Sequence, residues 1–304
     1  MKFGKLLDLN GVDWALPADH PRTGSVLAAS PRPATQPLRI YLGATGWSNK
    51  EWVGTWYPKG TKAANYLKHY SRQFNTIEFN TTHYRIPSAD LVARWYAGAQ
   101  SGFRFCPKVP QQISHRARLK AEDATIRFVE VLRGLGEKLG PIFLQLPDYH
   151  GPEQAQLVLD FLRDWPADLG LYFEFRHPDW FNGSHPGAQR VFDALEAAGQ
   201  GMVVTDVGGR RDVLHMELTN SILVLRFVGN GLHPSDYTRT DEWVERLQEW
   251  NEAGLREAYL FLHQPEMEQV PEFTAYWAQA LNGALGGAAP IPRKVLNGGQ
   301  QSLF

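Results

Sequence analysis

Cysteine is almost absent: Cys106 stands alone in 304 residues. A disulfide framework within the chain and a cysteine-rich metal site are both excluded. No apolar run approaches the ~18 residues that a membrane-spanning helix needs, and no basic, apolar leader opens the chain. These absences lead us to expect a protein of a reducing, cytoplasmic compartment. Net charge is nearly absent too, at −1. The global basic field of a non-specific nucleic-acid binder is therefore missing, and any such contact has to be local. Dinucleotide and phosphate-loop fingerprints of the GxGxxG and GxxxxGK[ST] types do not occur, nor do HxxxH or HxH pairs. There is no internal repeat and no low-complexity segment.

What is present is a large apolar supply. Hydrophobic residues make up 43% and aromatics 12% of the chain, enough for an extensive core. The length exceeds an ordinary single domain but suits a closed α/β barrel, typically ~250 residues.

The stretch 171–180, LYFEFRHPDW, carries the clearest message. At period two, Tyr172, Glu174 and Arg176 share one face and Phe173 and Phe175 the other. Pro178 then ends regular pairing. A strand with an aromatic outer face and a charged inner face is costly over a dry core. It makes sense where the inner side opens into a pocket; a buried structural ion pair is the plainer alternative.

Seven further runs of the same kind flank it. Strands are expected at 39–45, 76–80, 103–108, 141–146, 170–176, 202–206, 222–228 and 258–263. Helices are expected at 63–74, 89–99, 121–139, 154–164, 187–198, 241–253 and 270–285. No helix is evident after the sixth strand. This alternation predicts a parallel sheet and a single (β/α)8 TIM-type barrel over 39–290. Residues 1–38 contain Pro17, Pro21, Pro31, Pro33 and Pro37, which predict an extended segment; Phe3, Leu6, Leu7, Val12, Trp14 and Leu16 would pack it on the barrel. Residues 291–304 form a short tail.

Polar residues gather at the C-terminal strand ends, where active sites of this fold lie. Glu78, Glu174 and Asp206, with His177 beside them, are candidate catalytic groups, because paired carboxylates in unequal environments serve as acid and base. Lys108, Arg176 and Arg226 are cations suited to a phosphate or carboxylate, with arginine offering a bidentate fork. As mouth residues, Arg176 and Arg226 are expected to serve ligand binding and not the fold. Asn80, His115, Gln145 and His263 would add polar contacts. Trp47, Tyr84, Trp180 and Tyr237 would provide flat walls for a base or sugar, or else pack at the rim. Glu78, Glu174, Asp206, His177 and His263 are acceptable metal ligands in type, but nearby cations oppose a cluster. No cofactor is expected, and a divalent metal is the lesser reading. Cys106 lies in an apolar strand and reads as an inert thiol.

GATGWSNKEWVGTWYPKG, NTIEFNTTHYRIP, FRFCPKVPQQISH, PIFLQLP and FEFRHPDW, in this order, resemble the DUF72 (YecE-like) family across roughly residues 39–265. The resemblance implies a TIM-type barrel without an assigned activity or substrate. The family pattern commonly has an Asn-rich ending on the last strand; here Phe261-Leu262-His263-Gln264 stands in its place, so a role for such an Asn does not carry over. Residues 300–304, QQSLF, are similar to the Q-x-x-L-F peptides that dock on the DNA polymerase sliding clamp. Gln300 would make polar contacts, and Leu303 and Phe304 would anchor in apolar pockets. The expected function is an enzyme, a hydrolase or lyase, acting on an anionic, phosphate-containing or nucleic-acid-derived substrate and recruited by this tail. The alternative is a non-catalytic ligand-binding barrel with an interaction tail.

Overall fold

In this computed structural model, residues 4, 6, 8–29, 36–286 and 289–295 are described. Eight parallel strands form one sheet: β1 (Arg39–Ala44), β2 (Thr76–Phe79), β3 (Arg104–Pro107), β4 (Ile142–Gln145), β5 (Leu171–Glu174), β6 (Gly201–Asp206), β7 (Ile222–Val228) and β8 (Glu257–His263). Their order is β3-β2-β1-β8-β7-β6-β5-β4. The ring closes between β3 and β4, where Val109 N donates to Phe143 O at 2.9 Å and Gly140 N to Phe105 O at 2.8 Å. The chain is thus a (β/α)8 barrel, as its alternation predicts.

Strand parity sorts the side chains into two cores. Outward residues such as Ile77, Phe105, Leu144 and Phe173 meet the helices on one side, and Leu42, Leu225, Phe227 and Leu260 on the other. Inward residues Tyr41, Cys106, Phe143, Tyr172, Val203, Val224, Tyr259 and Phe261 fill the barrel. Tyr41 and Tyr259 stack at 4.4 Å between centroids. Gly201 makes room in this layer, since a Cβ there would stand 2.1 Å from the Tyr172 ring. Burial pushes the Cys106 thiol pKa up, in keeping with an inert role.

The helices are α1 (Pro21–Ala29), α2 (Tyr66–Gln73), α3 (Thr81–Tyr84), α4 (Ala89–Gly98), α5 (Glu122–Leu132), α6 (Ala155–Asp164), α7 (Pro186–Ala197), α8 (Pro234–Ala253) and α9 (Val270–Leu285). Their boundaries depart from expectation where caps intervene. The expected 121–139 helix is instead α5 followed by a 3-10 segment, Arg133–Lys138, which is itself kinked at Gly136, at φ 49°. Pro234 starts α8 well before residue 241, with His233 as its cap, accepting from Ser235 N. Only a 3-10 turn, Gly208–Val213, follows β6.

The N-terminal segment corrects the extended reading. Residues 8–20 contain a turn at Asn10–Gly11 and no regular element, with Val12, Trp14 and Leu16 half-buried between exposed neighbours. Pro21, however, opens a helix, a position where its missing N–H costs nothing. Helix α1 lies where the sixth crossover has no helix of its own. Arg22 reaches Asp193 and Glu196 of α7 and Glu217 before β7. Leu27 joins Trp243 and Val244 of α8 in one apolar cluster. Thr23 Oγ1 donates to Met216 O at 2.7 Å and accepts from Leu218 N at 2.9 Å. The chain start therefore completes the helical layer between α7 and α8.

Asp206 ties this layer together. Its Oδ1 accepts from Arg239 Nη1 at 2.9 Å and from Arg211 Nη1, and its Oδ2 from Trp243 Nε1 at 2.8 Å. Arg211 Nη2 in turn donates to the carbonyls of Trp14 and Ala15. Asp206→Ala leaves buried Arg239 with one carboxylate fewer and frees the strap. We expect a loss of about 3–5 kcal/mol in chemical denaturation, the usual cost of breaking a buried pair. Unchanged stability would contradict this structural role.

Candidate functional site

Above the apolar layer of the barrel lies a polar one, built by the same inward parity one step further along each strand. β2 presents Glu78, β4 Gln145, β5 Glu174, β7 Arg226 and β8 His263, and Lys108 follows directly on β3. Arg226 is its centre and is completely buried. Its Nη1 donates to both oxygens of Glu174 at 2.9 Å. Its Nη2 and Nε donate to Glu78 Oε1 and Oε2 at 2.9 and 3.0 Å. Glu78 also accepts from Asn80 Nδ2 and His263 Nε2, both at 2.7 Å. Glu174 accepts from Arg176 Nε at 2.8 Å and Gln145 Nε2 at 2.7 Å. Gln145 Oε1 accepts from Lys108 Nζ at 2.9 Å.

This wiring fixes the charges. Burial alone would raise both carboxyl pKa values. For Glu174, Arg176, Arg226 and Lys108 outweigh it and hold the pKa at about 2. For Glu78, Arg226 and His263 hold it well below the ordinary range. Both groups are locked as carboxylates, so they lack the raised pKa of a general acid at neutral pH. Lys108 moves the other way: burial, then Arg226, brings it down to about 8. At the rim, burial and then Lys108 depress His83 to about 4, and the same causes lower His115.

His83 was not singled out from sequence. It sits on the single-turn helix α3, its ring 5.4 Å from that of His115. Its Nδ1 lies 2.9 Å from Val109 O, so Nδ1 carries the proton and Nε2 the lone pair. The available signal was a histidine three residues beyond a strand end. Thr205, paired in register with Arg226, adds a buried hydroxyl that has no partner among the described residues.

Other expected site residues lie elsewhere. Asp206 is one residue out of phase with inward Val203 and Thr205, and so faces α8. Trp180 is 1% exposed, packed on Phe175 and Phe192, and donates to His150 O. Trp47 packs outside the barrel on Phe79, Trp95 and Phe105, where it borders a cleft of about 630 Å³ with Arg72 and Arg94. Tyr237 packs between α8 and α9 against Phe273 and Tyr276. His177 caps the turn Pro178–Trp180 by accepting from Asp179 N. Tyr84 is 74% exposed beside His83, on the rim. Of the four aromatic walls, only Tyr84 has the exposure expected of one at the mouth. Gln300, Leu303 and Phe304 lie outside the described residues.

Among the described residues, no three His, Cys, Asp or Glu side chains are grouped to hold a metal ion. No helix among them is long and apolar enough to cross a membrane.

Fold and site together define a (β/α)8 barrel whose mouth is closed by a buried ionic network. Residues 41–295 match the family described as "Protein of unknown function DUF72", and the chain belongs to that family. It is 31% identical over 290 residues to the UPF0759 protein YecE of Escherichia coli K12, covering 87% of this chain and all of that one. The UPF0759 protein YunF of Bacillus subtilis 168 is 24% identical over 53% of this chain and 58% of its own length. The crystal structure of a DUF72 family protein from Enterococcus faecalis V583 is similar at a TM-score of 0.64 and 18% identity, covering 83% of this chain and 99% of that one.

Arg226 is a keystone of the fold, contrary to the expectation that it serves ligand binding alone. Arg226→Met leaves two buried carboxylates without the counter-ion that they share, and should cost about 3–5 kcal/mol at pH 7. Glu174 contributes stability above its unfolded pKa near 4.5 and loses it as pH falls toward about 2. The variant lacks the share of that contribution due to Arg226, so its deficit should shrink between pH 7 and pH 3 in parallel denaturation curves. A deficit independent of pH would show that the pair is not the cause.

Proposed function

We propose that the barrel mouth binds and transforms a small anionic substrate bearing a phosphate or carboxylate. One observation carries this reading: three cations, Lys108, Arg176 and Arg226, face two carboxylates, and both carboxylates already accept from Arg226. A surplus positive charge at the mouth of a low-dielectric site favours an anion. The unpartnered Thr205 hydroxyl and the rim histidines supply further polar contacts. In this reading Glu78 and Glu174 hold the field and geometry, and His83 and His115 carry protons. The complete ligation of both carboxylates also suits the second reading, a ligand-binding barrel without chemistry.

Calorimetric titration with inorganic phosphate, nucleotides and sugar phosphates tests the anion site. Arg176→Ala should weaken any ligand by about 10–100-fold, the equivalent of one charge-assisted hydrogen bond of ~1.5–3 kcal/mol. Equal affinity in both proteins would assign Arg176 to structure alone. Binding without turnover of any ligand favours the second reading.

We further propose that residues 300–304 recruit the protein to a sliding clamp; the peptide sequence alone supports this. Leu303→Ala with Phe304→Ala should abolish binding to a purified clamp in surface plasmon resonance. Stability should change by less than ~0.5 kcal/mol, as for exposed positions. A lower melting temperature, with no clamp binding by the parent protein, would reject recruitment.

A further inference from the structure

We infer that Lys108 is a covalent nucleophile, so that the mouth takes an anion carrying an aldehyde or ketone and binds it as an imine. This rests on the anion-site reading and names its substrate class.

The geometry separates Lys108 from the other two cations. Arg226 is clamped between Glu78 and Glu174, and Arg176 is paired with Glu174. Lys108 Nζ meets a neutral amide oxygen, Gln145 Oε1 at 2.9 Å, and lies 5.7 Å from the centre of the Phe143 ring. Among the described residues it belongs to no ion pair. Gln145 is itself oriented by donating to Glu174 at 2.7 Å, so the amine is aimed without being given a counter-ion. A carboxylate partner would hold the amine protonated. A desolvated lysine beside other cations is instead released as a neutral nucleophile. With its pKa at about 8, roughly one Lys108 in ten is neutral at pH 7. The side chain is 5% exposed, at the inner end of the mouth. Arg176 and His83 are near enough to feel the Lys108 charge, and would serve the anionic group and, through the His83 Nε2 lone pair, the protons.

The step balances without a further reactant. The Lys108 nitrogen lone pair forms a bond to the carbonyl carbon, and the carbonyl π pair moves to oxygen; nitrogen gives up one proton and oxygen takes one, leaving a neutral carbinolamine. The hydroxyl then takes a second proton and leaves as water with its C–O bond pair, while the nitrogen lone pair forms the C=N bond and nitrogen releases its remaining proton. Nothing is oxidised or reduced.

Reductive trapping of the full chain is the test. The protein is incubated with glyoxylate and sodium borohydride, and modified lysines are located by peptide mass spectrometry. Lys108 should be modified at least tenfold faster than exposed Lys62 and Lys68, with a rate that rises through pH 8 and falls when inorganic phosphate is added. Even labelling of all lysines, or an unchanged adduct count in Lys108→Arg, would overturn the proposal. The map of the parent protein decides even if that variant fails to fold. Phosphate binding without a Lys108 adduct rejects the nucleophile and keeps the anion site. Selective labelling of Lys108 by neutral benzaldehyde, with no phosphate binding in calorimetry, supports the nucleophile and rejects the anion site.

Discussion

One guanidinium holds the top of this barrel together. Arg226 sits on β7 with no exposure and spans the ring, gripping Glu78 of β2 with one edge and Glu174 of β5 with the other. Three separate strands thereby acquire a fixed spacing at the mouth. Burying one cation and two anions is expensive, and ion networks of this kind are tolerable only when every lone pair and proton is used. Here the remaining carboxylate sites are filled by Asn80, His263, Arg176 and Gln145. Phe143 lies beneath, its ring centre 5.8 Å from the Arg226 guanidinium carbon, so the network rests on an aromatic floor that excludes water from below.

A second buried ionic cluster stands one strand away and faces the other direction. Thr205 turns inward beside Arg226, whereas Asp206 turns outward to Arg239, Arg211 and Trp243. A single residue of phase on β6 thus separates the mouth from the helical layer. The two clusters have different consequences. The inner one sets the electrostatics of the barrel mouth. The outer one fastens the N-terminal strap, which brings α1 into the gap left by the sixth crossover. The start of the chain and its middle are therefore mutually dependent, and the turn after β6 also touches the inner network, where Arg210 Nη2 donates to Arg176 O at 2.7 Å.

These relations explain what was legible in the sequence. Period two with apolar outer residues placed the strands, and the charged inner residues Glu78, Glu174 and Arg226 followed from the same rule. The rule misleads at a strand end, where Asp206 looks equivalent to Glu174 but has opposite phase. Trp47, Trp180 and Tyr237 have the right composition for a stacking wall, but tryptophan and tyrosine serve as readily in a helical layer, and only packing decides. Proline content concealed α1, because Pro21 reads as a breaker although proline is tolerated at the first position of a helix. The pairing of Arg226 with two carboxylates at once was beyond sequence reasoning: it depends on strands 148 and 52 residues away.

The last step concerns which polar residues are needed for stability and which are not. Removing Arg226 would strand two carboxylates, and removing either carboxylate would leave a cation short of a partner. Lys108 differs. It contributes one hydrogen bond to an amide, and burial and Arg226 disfavour its ammonium more than Glu174 and Glu78 favour it. A barrel selected for stability alone would place a methionine or leucine over Phe143 at this point, with similar volume and no charge to desolvate. Residues that break local rules without a structural return concentrate at functional sites. The ionic network is thus the scaffold, and Lys108, which it holds through an amide and not through an ion pair, is the group whose place in it stability does not explain.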